Sequence, residues 1–365
     1  MRLLVVNAGS SSTKVRVVEE DDRVSWRADL GAPTVAADGD PALVGALSEA
    51  PGPFDAVAHR VVHGGRRFRG PAVVDEETEG ALRALADLAP LHQAPALAGL
   101  EAAARAFPGA PMVACFDTAF HATLPAAAAT YAVPARWREE LGVHRYGFHG
   151  LSHAWATVRA AAMLGVAAVP RLVVCHLGAG ASLAAVAEGR SVDTTMGFTP
   201  LEGLAMATRS GSIDPGIVPW LVAQAGEALA AVADALEHRS GMVALAGTAD
   251  MAAVVRGAAA GEEAARLALD VYLHRLRAGV AAMAAALGGL DALVFTGGVG
   301  EHGGAVRRGA AAGLGFLGVG IDEEANAGAV PDAEITASGA PVRSLVIAAR
   351  EELQMAAEVR ALLRA

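Results

Sequence analysis

Hydrophobic and polar residues alternate along this chain in a pattern that predicts short strands separated by longer amphipathic helices. In five stretches the apolar residues recur at steps of three and four, which predicts helices: EETEGALRALADLAPLH, PALAGLEAAARAF, HAWATVRAAAMLG, PWLVAQAGEALAAVADALEHR and EEAARLALDVYLHRLRAGVAAMAAALG. Short apolar runs around them, DAVAHRVVH, MVACFD and SLVIAA, predict strands. This alternation predicts an α/β fold.

A strand, turn and strand pattern occurs twice, about half a chain apart. RLLVVNAGSSSTKVRVVEE begins at Arg2 and RLVVCHLGAGASLAAVAEGR at Arg171, while a related segment from Asp291, DALVFTGGVGEHGGAVRRGA, runs from strand through a glycine turn into a helix. Small residues between two strands predict a β-hairpin whose backbone amides can converge on an anion. The recurrence predicts two similar domains with a cleft between them and a boundary near residues 145 to 150.

The composition narrows the class of protein. A chain of 365 residues is longer than one compact core requires, and 53% hydrophobic residues exclude a disordered chain. A net charge of -10 and an aromatic content of 4% argue against nucleic acid as a partner. Cys115 and Cys175 each end an apolar run, where buried free thiols are common. We expect no disulfide to be needed in a chain of this length.

The expected location is the cytoplasm, without a membrane partner. The chain passes from Met1 and Arg2 directly into a predicted strand rather than into the apolar region of a signal peptide. The alanine-rich stretches are broken by charge or proline before they reach the length of a bilayer span.

The first turn, NAGSSSTK, has two interpretations. It is either a plain hairpin or a phosphate cradle, in which Gly9 allows close approach of the backbone, Ser10, Ser11 and Ser12 supply hydroxyl groups and Lys14 supplies positive charge. The P-loop pattern G-x-x-x-x-G-K-[ST] is not present in the sequence.

Two later turns contain further candidate phosphate contacts. In CHLGAGASL, the amides around Gly178 and Gly180 predict an anion nest, while His176 is equally well explained as a structural histidine. GGVGEHG matches the dinucleotide pattern G-x-G-x-x-G, with Asp322 at a suitable distance. Too little chain follows Gly298 to build two mononucleotide-binding halves, so we predict a nucleotide contact rather than a complete dinucleotide-binding domain.

Three charged residues lie in apolar or small-residue settings. Arg60 lies in VAHRVVHGG and Arg209 in MATRSGSIDPG, and each suits either a structural salt bridge or a clamp on a phosphoryl group. Asp117 ends the apolar run MVACFD, where a carboxylate either caps a helix or faces a cleft.

Five histidines form two groups, His59 with His63 and His144 with His149 and His153. The four-residue spacing is compatible with zinc, but Gly147 and Gly150 argue against a continuous helix and the H-E-x-x-H pattern is missing from the sequence. We do not expect a zinc site.

Taken together, these segments resemble the acetate kinase family, within the sugar kinase, Hsp70 and actin superfamily of phosphotransferases. The segments that carry the resemblance occur in family order from residue 5 to residue 353: VVNAGSSSTK, HRVVHGG, LAPLH, CFDTAFH, YGFHGLSH, CHLGAGASL, MGFTPLEGLAMATRSGSIDP, FTGGVGE and EEL.

The resemblance implies a duplicated ribonuclease-H-like core and reversible, direct in-line transfer of the γ-phosphoryl group of ATP to acetate, giving ADP and acetyl phosphate. It implies Mg²⁺, with Mn²⁺ as an alternative, and a homodimer formed through the second domain. The expected domains are 1–148, which binds the acyl group and onto which the helix 351–365 packs back, and 149–350, which binds the nucleotide, with the active site in the cleft between them.

The resemblance also implies roles for individual residues. Those that would contact phosphate or nucleotide are Ser10, Ser12, Lys14, His176, Gly178, Gly180, Asp250, Gly298 and Gly300. Those that would act in catalysis on the acyl carboxylate or the transferring phosphoryl group are Arg60, Arg209, Asp117 and His149. Those that would surround the methyl group are Val62, Leu91, His92, Phe148 and Pro200, beside the carboxylate-binding Arg60. Those that would organise Mg²⁺ are Asn7, Asp117 and Glu351.

The chain departs from the family pattern in four motifs and in the length of its N-terminal half. Ala179 replaces the asparagine of H-L-G-N-G, His302 follows Gly300 and Glu301 where G-E-N is usual, and Gln93 follows His92 where H-N-P is usual. VIAAREEL lacks the usual P-T-[ND] before the glutamates, and the N-terminal half is shorter than in most members. These departures predict an altered rate, nucleotide preference or acyl chain length.

Three alternatives remain open at this point. A propionate or butyrate kinase differs from an acetate kinase only in the volume of the acyl pocket. A dehydrogenase would rest on the GVGEHG match, and a catalytically weak ATP-binding homologue would retain the fold without turnover.

Overall fold

A computed structural model of the protein describes residues 1–9, 12–31, 40–85 and 90–364, with the side chains of residues 90–92 left aside. The strands are β1 (Leu3–Ala8), β2 (Thr13–Val18), β3 (Val24–Leu30), β4 (Ala56–Val61), β5 (Ala72–Val73), β6 (Met112–Phe116), β7 (Arg171–Leu177), β8 (Ala181–Ala187), β9 (Arg190–Thr194), β10 (Ala292–Thr296), β11 (Ala333–Glu334) and β12 (Arg343–Val346). The helices of the first 170 residues are α1 (Pro41–Glu49), α2 (Glu76–Ala84), α3 (Pro90–Ala106), α4 (Ala126–Ala129), α5 (Ala135–Glu139) and α6 (Gly150–Leu164). Those that follow are α7 (Ile217–Ala223), α8 (Leu229–His238), α9 (Gly241–Ala246), α10 (Met251–Ala259), α11 (Glu263–Leu287), α12 (Gly297–His302), α13 (Gly304–Ala312), α14 (Glu323–Ala327) and α15 (Glu351–Arg364).

The chain divides into two compact units. Unit 1 comprises Met1–Ala122, Phe148–Trp155 and Arg350–Ala365, and unit 2 comprises Thr123–Gly147 and Ala156–Ala349. The sequence analysis placed one boundary at residue 148, whereas the structure assigns 123–147 to unit 2 and the first residues of α6 to unit 1. Helix α6 therefore contributes residues to both units, which a reading of composition along the chain does not detect.

Both units are built on a six-stranded mixed sheet with the same strand order. In unit 1 the order is β3-β2-β1-β4-β6-β5, and in unit 2 it is β9-β8-β7-β10-β12-β11. In each sheet the first three strands of the unit form an antiparallel meander, and the fourth strand pairs parallel to the first. The sixth strand pairs parallel to the fourth, and the fifth pairs antiparallel to the sixth at the edge. The recurrence in the sequence thus reflects a duplicated topology, and the predicted α/β two-domain fold is confirmed.

The sheet of unit 1 is covered by helices on both faces, because successive residues of a strand point in opposite directions. Leu3 and Val5 of β1 pack in a buried cluster with Met355 and Val359 of α15. Leu4 and the other residues that face the opposite side pack against α1 and α3. The C-terminal helix therefore belongs to the core of unit 1.

Two of the predicted helices are interrupted. PWLVAQAGEALAAVADALEHR forms α7 and α8, which are separated by a segment containing Gly226 at φ +76°. EETEGALRALADLAPLH covers all of α2 and the first residues of α3, which begins at Pro90. Glycine in a left-handed conformation and proline at a first helical position explain both interruptions.

One described stretch, Gly241–Ala259, is long and apolar enough by composition to cross a membrane. In the structure it is not one helix, because Gly247 ends α9 in a left-handed conformation before α10 begins at Met251. Length and composition alone are weak evidence for a membrane span here.

Candidate active site

The first group of predicted site residues lies at one edge of the sheet of unit 1. Asn7 lies near the end of β1, Arg60 near the end of β4, and Asp117 directly after β6. Strands β1, β4 and β6 are parallel neighbours, so their carboxyl ends meet at the same edge. The fold therefore brings together three residues that are far apart in the sequence.

Arg60 binds Asp117 with two parallel hydrogen bonds. Its Nε donates to Oδ1 at 2.9 Å and its Nη2 donates to Oδ2 at 2.6 Å. Its Nη1 donates to Oδ1 of Asn7 at 3.2 Å, and the Asn7 amide nitrogen donates to Oε2 of Glu351 at 2.7 Å. Glu351 begins α15, so the C-terminal helix supplies the fourth member of this cluster. We call Asn7, Arg60, Asp117 and Glu351 the carboxylate cluster.

The carboxylate cluster is shielded from solvent. The side chains of Arg60 and Asp117 are 12% and 1% exposed. Burial raises the pKa of the Asp117 carboxyl, and Arg60 and a backbone hydrogen bond from His149 oppose that rise. Burial lowers the pKa of Arg60, but Asp117 and Glu351 outweigh it and raise the pKa, so the guanidinium stays charged. With both carboxylates ionised the cluster carries one net negative charge, which suits a cation.

The segment that precedes α6 approaches Asp117 closely. The Gly150 amide donates to the Asp117 carbonyl at 2.8 Å, and a Cβ at Gly150 would lie 2.1 Å from that oxygen. Glycine is therefore required at position 150. His149 has φ +57°, a conformation that is uncommon without glycine and that recurs at functional sites.

Two of the predicted methyl-pocket residues are buried in unit 1. Val62 is 5% exposed and Phe148 is 1% exposed. The Phe148 ring meets the His63 ring edge-on with their centroids 5.5 Å apart. The side chains of Leu91 and His92 lie outside the described part of the chain, as does all of Ser10.

The first hairpin turn adjoins the carboxylate cluster. The Gly9 amide donates to the Ser12 carbonyl at 2.8 Å, and a Cβ at Gly9 would lie 3.4 Å from Nη1 of Arg60. Lys14 pairs with Asn7 across β1 and β2, so both side chains are on the same face of the sheet. The geometry places a lysine and a turn of small residues beside the cluster.

Unit 2 contains a cavity of about 590 Å³. Three predicted nucleotide contacts line it: Gly178 after β7, Asp250 before α10 and Gly298 in α12. Most of the remaining lining is aliphatic, and includes Ala207, Met242 and Met251 with Val255 and Val306. A mostly apolar cavity with a few polar groups at its walls is typical of a small-molecule site.

The glycines of α12 have different environments. A Cβ at Gly298 would meet no atom within 4 Å, so packing within the protein does not require glycine there. Gly300 is buried, and its carbonyl accepts from Nη1 of Arg307 at 2.7 Å. Arg307 also donates to the Glu301 carbonyl and to Asn326, which anchors the end of α12 against α14.

The second hairpin turn is less open to an anion than the sequence analysis expected. The Gly178 amide donates to the Gly180 carbonyl at 2.9 Å, so this amide is already engaged. His176 lies near the end of β7 and is opposite Ser182 in β8. Ala179 lines the cavity with its side chain exposed.

Arg209 has fewer protein partners than Arg60. Its Nε lies 3.2 Å from Oε1 of Glu237 in α8, and its Nη1 donates to the Pro200 carbonyl at 3.4 Å. Its side chain is 13% exposed. Burial lowers the pKa of Arg209, and Glu237 only partly opposes this. A partly compensated cation of this kind is suited to binding an anion.

Asp250 has a structural role as well. Its carboxylate accepts from the Ala252 amide at 2.9 Å and thereby caps α10, and it lies 3.7 Å from Nη2 of Arg256. Arg256, His302 and Tyr272 also line the cavity, and the sequence analysis named only His302 among them, as a departure from the family pattern. Tyr272 lies in the apolar stripe of α11, where helical periodicity indicates only a core residue.

Neither the zinc nor the dinucleotide interpretation finds support. Within residues 1–9, 12–31, 40–85 and 90–364, no three His, Cys, Asp or Glu side chains are arranged to hold a metal. Asp322 caps α14 by accepting from the Ala325 amide at 2.8 Å. The only strands in 303–364 are β11 and β12, so this part of the chain contains no second mononucleotide-binding half.

Comparisons with known proteins agree on one family. Residues 45–357 match the Acetokinase family. The acetate kinase of Nostoc punctiforme is 40% identical over 98% of both chains, and that of Leifsonia xyli is 51% identical over 83% of this chain and 77% of its own. Among solved structures, Porphyromonas gingivalis acetate kinase superposes with a TM-score of 0.90 and 32% identity, over 99% of both chains. A propionate kinase from Francisella tularensis gives a TM-score of 0.89 and 32% identity, over 98% of both chains.

Proposed function

The chain belongs to the acetokinase family, and from this premise we propose that it transfers the γ-phosphoryl group of ATP reversibly to acetate, giving ADP and acetyl phosphate. The observation that carries the proposal is the carboxylate cluster, in which a buried arginine, an amide and two carboxylates lie at the carboxyl edge of the parallel strands. An acetate anion already has a nucleophilic oxygen at neutral pH, so no strong base is needed. The protein has to bring two anions together in line and to neutralise the charge on the phosphoryl oxygens.

We assign the neutralisation of that charge chiefly to Arg60 and Arg209. The two hydrogen bonds that Arg60 donates to Asp117 fix the plane of the Arg60 guanidinium, so its charge needs little reorganisation during transfer. Arg209, held from one side by Glu237, binds the transferring phosphoryl group, and His149 supplies a further donor. Asp117 acts by orienting Arg60, and it would also help to hold a divalent ion.

The residues present fit Mg²⁺, with Mn²⁺ as an alternative of similar oxygen preference. With both carboxylates ionised, the carboxylate cluster carries one net negative charge and repels a phosphate anion unless a cation accompanies the anion. Asn7, Asp117 and Glu351 would hold Mg²⁺ directly or through water, because Mg²⁺ in kinases commonly uses one or two carboxylates together with substrate phosphates. When bound, the ion neutralises charge on the phosphate oxygens.

We propose that the cavity of unit 2 holds the nucleoside part of ATP. Gly298 allows close approach of the backbone, and Asp250 contacts the ribose. On the basis of the family resemblance we assign the phosphates to Ser10, Ser12, Lys14, His176, Gly178 and Gly180, and we assign Gly300, like Gly298, to the nucleoside.

Val62 and Phe148 form buried apolar surface for the methyl group, and we assign Leu91, His92 and Pro200 as further contacts of the acyl group. A propionate or butyrate kinase is the second candidate, since a solved propionate kinase superposes as well as the acetate kinases do.

The test is a hydroxamate assay, in which hydroxylamine traps acyl phosphate formed from ATP and a carboxylate. We expect product with acetate, less with propionate and butyrate, and none when EDTA removes the divalent ion. A preference for the longer acids would instead favour the second candidate. If folded protein that binds ATP gives no product with any acid, the result would favour the alternative that the chain is a catalytically weak ATP-binding homologue.

Replacement of Gly298 by alanine is expected to weaken nucleotide binding about tenfold without lowering stability, because the methyl group would occupy the surface that the nucleotide approaches. Alanine also favours the helix over glycine. Isothermal titration with ADP and thermal melting measure the two quantities. Gly80→Ala in α2, where a Cβ also meets open space, is the matched control and should leave ADP affinity unchanged. Unchanged affinity in Gly298→Ala would contradict the assignment.

We further propose a homodimer formed through unit 2. Ile217, Trp220 and Leu229 expose 41%, 60% and 62% of their surface along α7 and the beginning of α8, which is an unusual density of large exposed hydrophobics. Light scattering should give the mass of two chains, and the mass of one chain would refute the dimer.

We propose a cytoplasmic location because ATP is the cosubstrate and both cysteines are free thiols, and fractionation of cells tests it.

A further inference from the structure

The segment that carries Arg209 has no regular secondary structure of its own. Residues 195–216, between β9 and α7, form neither helix nor strand, and they include Pro200 and Arg209. A side chain on such a segment is placed precisely only if other groups hold the segment. The groups that hold this segment therefore decide where Arg209 lies.

One group of side chains holds the beginning of the segment. The Tyr131 hydroxyl donates to Oε2 of Glu202 and accepts from the Phe198 amide at 3.0 Å. Nη2 of Arg145 donates to Oε1 of Glu202 at 2.7 Å, and the Arg145 guanidinium lies over the Tyr131 ring, 5.4 Å from its centroid. Both carboxylate oxygens of Glu202 are thus engaged. We call Tyr131, Arg145 and Glu202 the Glu202 network.

The Glu202 network is anchored at the end of β9. Nη1 of Arg145 donates to three consecutive carbonyls, those of Thr194, Thr195 and Met196, at 3.1, 3.1 and 3.0 Å. The Arg145 side chain is 16% exposed. A guanidinium with this many fixed partners has little freedom, so it holds Glu202 in a defined place beside the sheet of unit 2.

The packing around the Glu202 network is close, and its donors and acceptors are defined. A Cβ at Gly197 would overlap both the Tyr131 hydroxyl oxygen and Oε2 of Glu202, so glycine is required there. Burial, and then the neighbouring Glu202 carboxylate, raise the pKa of the Tyr131 phenol. The phenol therefore stays protonated and donates to Glu202 while it accepts from the Phe198 amide. These contacts fix the backbone of 197–202.

The loop that contains Arg209 begins directly after Glu202. Gly203 and Ser212 close this loop, because the Ser212 amide donates to the Gly203 carbonyl at 2.9 Å and the Gly203 amide donates to Oγ of Ser212 at 3.1 Å. The Arg209 side chain also reaches back to 197–202 through its long bond to the Pro200 carbonyl. The Glu202 network therefore lies at the base of the loop from which Arg209 extends.

We propose that Tyr131 and Glu202 are positioning residues for phosphoryl transfer, which fix the segment 197–202 and thereby the place of the Arg209 guanidinium. This inference rests on the role proposed for Arg209. Stabilisation of a transferring phosphoryl group depends on charges that are already in place, and a small displacement of such a group is costly. Tyr131 and Glu202 act through Arg209 rather than on a substrate.

The test uses two variants in steady-state kinetics and thermal melting. Tyr131→Phe removes the hydroxyl and leaves Glu202 bound to Arg145, and we expect kcat for acetyl phosphate formation to fall about tenfold, the loss that corresponds to one hydrogen bond. In Glu202→Gln a carboxamide has one acceptor oxygen and cannot accept from both Tyr131 and Arg145, so kcat should fall in the same way. ADP affinity, measured by isothermal titration, should not change, because neither residue lines the cavity of unit 2.

A matched control is Tyr146→Phe. The Tyr146 amide donates to the Gly197 carbonyl at 3.0 Å, so this tyrosine adjoins the same segment, but its hydroxyl donates to the Gly142 carbonyl at 3.1 Å. We expect a lower melting temperature, because a hydrogen bond of a buried side chain is lost, and an unchanged kcat.

A double-mutant cycle shows whether Tyr131 acts through Arg209. In protein that already contains Arg209→Ala, Tyr131→Phe should lower the residual kcat by less than about twofold, because the group that it positions is gone. A further tenfold loss in that background would show that Tyr131 acts elsewhere and would overturn the inference.

Other outcomes separate this inference from the proposed function. A normal kcat in Tyr131→Phe, while Arg209→Ala is nearly inactive, would overturn the inference and leave the role of Arg209 intact. A lower melting temperature in Tyr131→Phe with a normal kcat would assign the Glu202 network to stability alone. Normal turnover in Arg209→Ala would remove the role of Arg209 and this inference with it, and no turnover in the unaltered protein would remove the proposed function as well.

Discussion

Replacement of Arg60 by lysine is expected to lower kcat for acetyl phosphate formation by about 10²- to 10³-fold, with the protein still folded. Arg60 holds Asp117 with two parallel hydrogen bonds and Asn7 with a third. Lysine retains the positive charge, but it is a point charge on a flexible stem and cannot reproduce the planar fork. The charge would remain near the phosphoryl group without its fixed orientation.

Lysine is preferable to alanine at this position because of Asp117. The Asp117 side chain is 1% exposed, and Arg60→Ala would leave its carboxylate buried without its cationic partner. Breaking a buried pair in this way typically costs about 3–5 kcal/mol of stability, so lost activity in Arg60→Ala would not be separable from unfolding.

The measurement for Arg60→Lys is steady-state kinetics in acetate and ATP together with thermal melting. Arg171→Lys is the matched control, because Arg171 also binds an aspartate, Asp291, through two nitrogens, but at the opposite end of its strand. That variant should retain kcat within about twofold, because an exposed ion pair away from the candidate site contributes little to stability. A kcat near normal in Arg60→Lys, whatever its melting temperature, would contradict the role assigned to Arg60.

Replacement of Arg209 by alanine is expected to lower kcat by about 10³-fold or more, the range measured for arginines that act on a transferring phosphoryl group. The effect on stability should be small, since its partner Glu237 retains access to solvent with 22% of its side chain exposed. The bond from Arg209 to the Pro200 carbonyl is long, at 3.4 Å. Arg209 is thus weakly engaged by the protein, which leaves its charge available to a substrate.

Glu237→Gln distinguishes a role of Arg209 in phosphoryl transfer from a purely structural role of its ion pair with Glu237. This variant removes the ion pair but keeps the guanidinium, so turnover should stay within a few-fold of normal while Arg209→Ala is nearly inactive. Normal turnover in Arg209→Ala, with both variants destabilised equally, would show that the pair is only structural.

The local spacing of apolar and polar residues was sufficient to predict most of the strands and helices. The apolar runs that became β4, β6 and β12 lie in buried strands, and the repeated hairpin pattern corresponds to β1 with β2 and β7 with β8. Periodicity failed where a helix was interrupted, as between α7 and α8, because an apolar stripe can continue across a glycine turn that the backbone does not follow as a helix.

The residues of the candidate site were selected from their types and their settings, but their partners were not. Arg60 and Asp117 are 57 residues apart, and Asn7 and Glu351 are 344 apart. Only the parallel order of β1, β4 and β6, with α15 packed against them, makes them neighbours. Asp250 was selected as a ribose contact, and its cap of α10 became visible only in the structure.

The sequence by itself determined the α/β class, the duplicated hairpins and the residue types available for phosphate chemistry, because these depend on the spacing of apolar positions and on short contiguous segments. The tertiary structure alone decided that 123–147 belongs to unit 2, that Asp117 is bound by Arg60, and that Tyr272 lines the cavity of unit 2. These are relations between distant residues. Burial and pairing depend on which elements pack together, and a helix such as α11 has the same apolar period whether it faces a filled core or the wall of a cavity.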